Sequence, residues 1–195
     1  MDRLKAKLRD PLHRLQRGAQ ARWHARELTA VHDRTGAIRP DDVLLFACLR
    51  NEAVRVPAFL AHYRQLGVDH FLFVDNGSGD GFQALVKEQH DVSVWHTTAS
   101  YRRANFGMHW LNALLRDHGP GHWCVTCDLD EFLIYPHHEH RKLAELGDFL
   151  QREGLGSMSG LMLDMYGSQP PHETDYRSGA DPFEVTPWFD AEGYE

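Results

Sequence analysis

A chain of 195 residues, 42% hydrophobic and 25% charged, has the size and composition of one folded domain with room for extensions. Its formal net charge of −7 argues against a duplex nucleic-acid partner, whose phosphates are met by clustered basic charge. The longest apolar run, "VLLFACL" (Val43 to Leu49), falls far short of the roughly 20 residues that span a bilayer. No apolar stretch near the N-terminus reads as a signal peptide. The expected compartment is therefore the cytoplasm, which three cysteines in a reducing environment also suit.

The chain opens on a basic arm. Residues 1–28 carry eight Lys or Arg side chains against three acids, so the remainder is strongly acidic. A solvated, partly helical leader is the first expectation for this arm. Peripheral contact with an anionic inner membrane face is the other. "RTGAIRPDD" (Arg34 to Asp42) reads as a linker, which gives an arm and linker over 1–40, a main domain over 41–167 and a further region over 168–195.

From Asp42 onward, strands and helices alternate. "VLLFACL" is a buried β-type run. Phe59, Leu60, Tyr63 and Leu66 then recur at helical spacing, with Pro57 in the first turn and Gly67 as a C-terminal stop. "HFLFV" (70–74) is a strand, "NGSGDG" (76–81) a turn, "FQALVKEQH" (82–90) a helix and "VSVWH" (92–96) a strand. A helix over 105–119, a strand over 122–127, a helix over 142–154 and a strand over 160–166 follow. The apolar run "FLIYP" (132–136) is expected to continue the strand that precedes it. Fully apolar strands between helices imply an α/β fold, with a mostly parallel central sheet covered by helices on both faces. Cys124 and Cys127 form a C-x-x-C pair, but on a strand they point to opposite faces and no second pair exists. They read as small buried apolar residues. The histidines of "PHHEH" (136–140) read as solvated surface.

Ligands of such sheets bind at the C-terminal strand edge. Three strand ends deliver polar residues there: Arg50, Asn51 and Glu52; Asp75 to Asp80; and Asp128 to Glu131. Crowded carboxylates repel one another unless a cation offsets their charge. Asp128 and Asp130 are two apart and are expected on one side of an extended backbone, with Leu129 facing the core. Oxygen-only ligands favour Mg²⁺ or Mn²⁺, usually completed by substrate phosphates. A diphosphate-bearing nucleotide is the simplest such substrate. Asp75 and Asn76 could then hydrogen-bond a ribose or base edge, with Gly77 and Gly79 permitting a tight turn.

The segments "CLRNEA", "HYRQLGVDHFLFVDNGSGD" and "WCVTCDLDEFLIYP" together resemble the family 2-type glycosyltransferases, in particular a bacterial subgroup with such motifs. The resemblance runs from about Val43 to Tyr166. It implies a GT-A fold, a nucleotide-diphosphate sugar donor, Mn²⁺ or Mg²⁺, and a hydroxyl acceptor in cell-surface polysaccharide or glycolipid synthesis. By position, Asp130 would ligate the metal directly, and Asp128 would contact ribose or the metal through water. Asp75 would bind the nucleoside, and Arg50, Asn51 and Glu52 would line the nucleotide pocket. Arg102 and Arg103 stand where the family often has a basic residue near the nucleotide. Asp164, with Glu173 and Asp175 nearby, is the candidate for the base of an inverting transfer. The chain departs from the family in having Asn76 where a second Asp is frequent. Relatives are commonly longer, so part of the acceptor side is expected to be missing. Two alternatives stand beside the transferase: an inactive or fragmentary nucleotide-sugar-binding module, and a haloacid dehalogenase-type phosphohydrolase using Asp128 as nucleophile.

Overall fold

The computed structural model describes residues 18–169 and 176–192. The first six basic residues of the arm lie outside them, as do Glu173 and Asp175. In chain order the elements are α1 (described over residues 18–24), β1 (Thr29–His32), β2 (Leu44–Leu49), α2 (Val56–Leu66), β3 (His70–Asp75), α3 (Phe82–Val86), β4 (Val92–His96), α4 (Met108–His118), β5 (Cys124–Thr126), α5 (Leu143–Arg152) and α6 (Pro182–Val185).

The five strands form one sheet in the order β1-β4-β3-β2-β5. β2, β3, β4 and β5 run parallel, and β1 adds antiparallel to β4 at one edge. The chain builds outward from β2 to β3 and β4, then returns to place β5 on the other side of β2. The order therefore reverses between β2 and β5. That reversal leaves a crevice at the C-terminal strand edge, where open α/β sheets take ligands.

Residue parity on the strands assigns the two cores. Leu45, Ala47, Leu49, Phe71, Phe73 and Val94 face α2, α3 and α5, meeting Phe59, Tyr63, Phe82 and Leu143. Leu44, Phe46, Cys48, Leu72 and Val74 face α4, meeting Trp110, Leu111 and Leu114. β2 and β3 are buried along their whole length, which is why they read as unbroken apolar runs and not as alternation.

Several expectations need correction. Residues 29–32, assigned to the arm and linker, form edge strand β1. The linker itself is pinned to the sheet: Arg34 donates to the carbonyls of Val92 (3.0 Å) and Lys87. The end of the arm is docked as well. Trp110, fully buried, donates its indole N–H to Glu27 at 2.7 Å, and His24 stacks on His109. α4 begins three residues late because Asn105, Phe106 and Gly107 all adopt left-handed backbone conformations. "FLIYP" does not extend β5, which ends at Thr126. Nor does 160–166 join the sheet: Tyr166 makes an isolated antiparallel bridge with Trp188, and Leu161 and Met162 are exposed. Being only three residues long, β5 offers little edge on which a further strand could form.

α5 packs against Trp123 through a glycine. A Cβ built on Gly147 would lie 2.5 Å from the indole ring of Trp123. In an exposed helix, Gly→Ala gains up to about 1 kcal/mol. Here Gly147→Ala should reverse that sign and destabilise the fold by about 1–3 kcal/mol through overpacking. Thermal unfolding should show a midpoint lowered by several degrees.

Candidate functional site at the sheet's C-terminal edge

The ladder brings three strand ends level. Leu49 pairs with Asp75, and Asp75 with His96. On the other side of β2, Phe46 pairs with Thr126. β5 therefore ends three residues short of the end of β2, and Asp128, two residues beyond it, is near enough to Cys48 and Glu52 to push both pKa values up. This register sets "RNE" and "DNGSGD" side by side, and the electrostatic effect of Asp128 and Asp130 on Glu52 puts "DLDE" near them.

The converging residues divide into two kinds. The first kind builds the loops. Asp75 is fully buried and accepts hydrogen bonds from the Ser78 N–H (2.8 Å) and the Gln83 amide (2.8 Å), with His96 Nδ1 at 3.3 Å. Burial raises its pKa, but the bonds from Gln83, Ser78 and His96 outweigh that and hold it below the usual carboxylate value. Asn76 is 5% exposed and donates to the carbonyls of Thr97 and Ala99. Asn51 has φ 57°, receives the Gly79 N–H on its Oδ1, and donates its own N–H to Ser78 Oγ. Asp80 accepts the Ala53 N–H at 2.7 Å. Asn51 and Asp80 staple the β2 and β3 loops together, while Asp75 and Asn76 tie the end of β3 to its own loop and to the β4 side.

The second kind is wholly or partly open to solvent. Arg50, Asp128, Asp130 and Arg103 are exposed, and Glu52 is half-buried. Leu129 is fully buried, as alternation predicts, but Leu129 and Asp130 sit in a turn beyond the end of β5 rather than in a strand. The turn is held from within. Glu131 accepts the Asp128 N–H at 2.9 Å, and the Glu131 N–H donates to the Asp128 carbonyl. From α2, the Tyr63 hydroxyl donates to the Glu131 carbonyl (3.0 Å) and accepts the Leu133 N–H (3.2 Å). His62 Nε2 lies 3.1 Å from the Leu133 carbonyl.

The open acids are electrostatically strained. Partial desolvation, then Glu131 and Asp130, push the Asp128 pKa up. Desolvation raises that of Glu52 too, with Asp130, Asp128 and Asp80 adding to it and Arg55 opposing. Beneath them, burial drives the Cys48 thiol up to about 12, with Asp128, Asp75 and Glu52 contributing. Cys124 and Cys127 are pushed by burial to about 11 and about 12. All three are free, neutral thiols, in keeping with a packing role.

Asp164 lies on the exposed stretch after α5. Its neighbours Leu163 and Met165 line a cavity of about 980 Å³ between β5, α5 and residues 156–163, which reaches Asp130 and Glu131; Asp164 does not line it. Among the described residues no group of three or more His, Cys, Asp or Glu side chains is arranged to hold a metal, and no helix is long and apolar enough to cross a membrane. Two residues at the rim escape a reading of motifs. Tyr63 anchors the acidic turn from an otherwise apolar helix face. Tyr101 lies on the β4–α4 loop beside Cys48.

No protein-family model matches this chain, and no curated protein matches it.

Two substitutions probe the site as built. Tyr63→Phe leaves the Glu131 carbonyl and Leu133 N–H without their buried partner, and should cost about 1–3 kcal/mol by denaturant unfolding. Asp128 has a folded pKa above its unfolded value, so its ionised form weighs against folding at neutral pH. That penalty vanishes as pH falls below the ordinary carboxylate value. Asp128→Asn should therefore melt above the wild type at pH 7 without added metal, and the difference should close in acid.

Proposed function

We propose that this protein is a metal-dependent glycosyltransferase of GT-A type. It moves a sugar from a nucleotide-diphosphate donor to an acceptor hydroxyl, with inversion. The observation that carries the reading is the position of Asp128 and Asp130: exposed, mutually repelling carboxylates beside the β2–β5 switch point of a mostly parallel sheet.

The residues present fit a hard divalent ion such as Mn²⁺ or Mg²⁺. Octahedral ions of this kind are commonly held by one or two carboxylates plus substrate phosphates, so a three-residue protein cage is not required. Asp130 and Asp128 would hold it, with Glu131 keeping the Asp128 backbone in place. When bound, the ion supplies Lewis-acid stabilisation to charge developing on the leaving diphosphate. Arg50 and Arg103 offer exposed cationic charge to the same group. Glu52 is the carboxylate suited to a ribose hydroxyl. Asp75, Asn76 and Asn51 act one step back, as the staple that fixes the loop beneath the nucleoside.

An inverting transfer needs a base at the acceptor hydroxyl. Asp164 remains the candidate, on the segment that borders the cavity next to Asp130. That cavity suits the acceptor, a glycan or lipid-linked glycan, and the basic arm would bring the enzyme to an anionic membrane face in the cytoplasm.

Asp130 is exposed and supports no core contact, so Asp130→Ala should fold as the wild type does. It should lose at least about 100-fold in sugar transfer or donor hydrolysis, the scale of removing one electrostatic stabiliser. Mn²⁺-dependent nucleotide-sugar binding should fall with it by calorimetry. Wild-type turnover in Asp130→Ala would reject the assignment.

A further inference from the structure

The loop between β4 and α4 presents two large rings to solvent. Tyr101 is 41% exposed and Phe106 61%, with ring centroids 5.9 Å apart at 84°. They lie at the sheet's ligand edge. The loop that carries them is held in a costly shape. Asn105, Phe106 and Gly107 have φ of 51°, 55° and 78° in succession. A left-handed backbone disfavours a residue such as Phe, and here it ends with the Phe106 ring held outside the core. The loop is otherwise tightly fixed: Ala104 is fully buried, the Phe106 N–H donates to the Tyr101 carbonyl at 2.9 Å, and the His109 N–H to that of Ala104 at 3.0 Å. A Cβ on Gly107 would lie 2.9 Å from Cys48 Sγ and 3.0 Å from the Tyr101 ring. Only glycine therefore lets the loop close onto the end of β2, and that closure wedges Tyr101 against Cys48. The Asp128 carboxylate acts on the same Cys48, pushing its pKa up.

We propose that Tyr101 and Phe106 form the stacking surface for the nucleobase of the donor, with the diphosphate held at Asp128 and Asp130. The inference rests on the reading of the acidic rim as a nucleotide-diphosphate site. The two ligand ends are separated by chemistry. The acidic rim suits a cation, phosphates and hydroxyls. The aromatic pair offers π faces and one hydroxyl, which suit the flat, uncharged part of a nucleotide. The Tyr101 hydroxyl is raised in pKa by burial, with Cys48, Asp128 and Glu52 adding to it. It is thus a neutral hydroxyl within electrostatic reach of Asp128 and Glu52.

Calorimetry on the full chain with Mn²⁺ and UDP, GDP or ADP, run beside inorganic pyrophosphate, tests this. Tyr101→Ala and Phe106→Ala should each weaken the tightest-binding nucleotide about tenfold or more, the scale of one lost base–aromatic stack. Pyrophosphate binding should be unchanged, and Tyr101→Phe should stay near wild type. Unchanged nucleotide affinity in both alanine variants, or equal losses for nucleotide and pyrophosphate, would overturn the proposal. Should Tyr101→Ala fail to fold, Phe106→Ala decides, because its ring is mostly solvent-facing. A wild-type chain that binds pyrophosphate but no nucleotide rejects the stacking site. One that binds neither rejects the glycosyltransferase reading, and the stacking site with it.

Discussion

The rest of the site depends on one buried hydroxyl. Tyr63, 1% exposed in the α2 core, donates to the Glu131 carbonyl and accepts the Leu133 N–H. β5 stops at Thr126, so the acidic turn after it has no ladder to hold it. Side chains from α2 replace the ladder: Tyr63 makes two of the bonds, and His62 contacts the Leu133 carbonyl. Phe132 completes the arrangement, lying edge-on to both Phe59 and His62. α2 is in turn placed by Gly67, whose left-handed φ of 91° ends the helix and returns the chain into β3. The position of two exposed aspartates is thus set by a helix more than sixty residues earlier in the chain.

That anchoring lets the fold tolerate charges that oppose it. The acidic residues at the rim are not equivalent. Asp75 and Asp80 have their charge answered by N–H donors from the loops they organise. Asp128 and Glu52 have theirs answered only in part, and both are raised in pKa by desolvation and by neighbouring carboxylates. Composition alone would count all four as one acidic patch. Hydrogen bonding separates a pair of acids satisfied by the loops from a pair left with charge only partly offset, which is the property on which the proposed cation site rests.

Much of this was legible in the sequence because the parallel core is so regular. β2 and β3 are buried from end to end, and Pro57 and Gly67 bracket α2, so the strand–helix alternation and the parallel sheet could be read directly. Other features depend on contacts that no local pattern encodes. β1 is a four-residue edge strand with no buried residue, too short and too exposed to stand out from a linker. "FLIYP" has β composition, yet its backbone is claimed by Tyr63 and by the Tyr135 turn, where the Tyr135 hydroxyl donates to the Arg141 carbonyl. The late start of α4 follows from three consecutive left-handed residues, and although Gly107 and Asn105 are types that tolerate this conformation, Phe106 between them is not. Tyr63 read simply as a core position, since helical periodicity reports burial and not what a buried hydroxyl reaches.

The two sides of the crevice are built to different standards, and this bears on what each can recognise. The side formed by the β2, β3 and β4 ends rests on both cores of the sheet and is held by Asn51, Asp75, Asn76 and Asp80. Its geometry is set before any ligand arrives, and preorganised groups are the ones that discriminate. The opposite side is bounded by the short β5 and by residues 155–165, where Leu161, Met162 and Leu163 remain solvent-facing. The apolar pattern of 160–166 suits a strand, but a strand is stable only with a partner along its length, and β5 supplies three residues. Local propensity and tertiary opportunity therefore disagree in this stretch, while they agree throughout β2, α2 and β3. A single chain thus combines a hydrogen-bonded, charged wall with an exposed apolar wall that few contacts constrain.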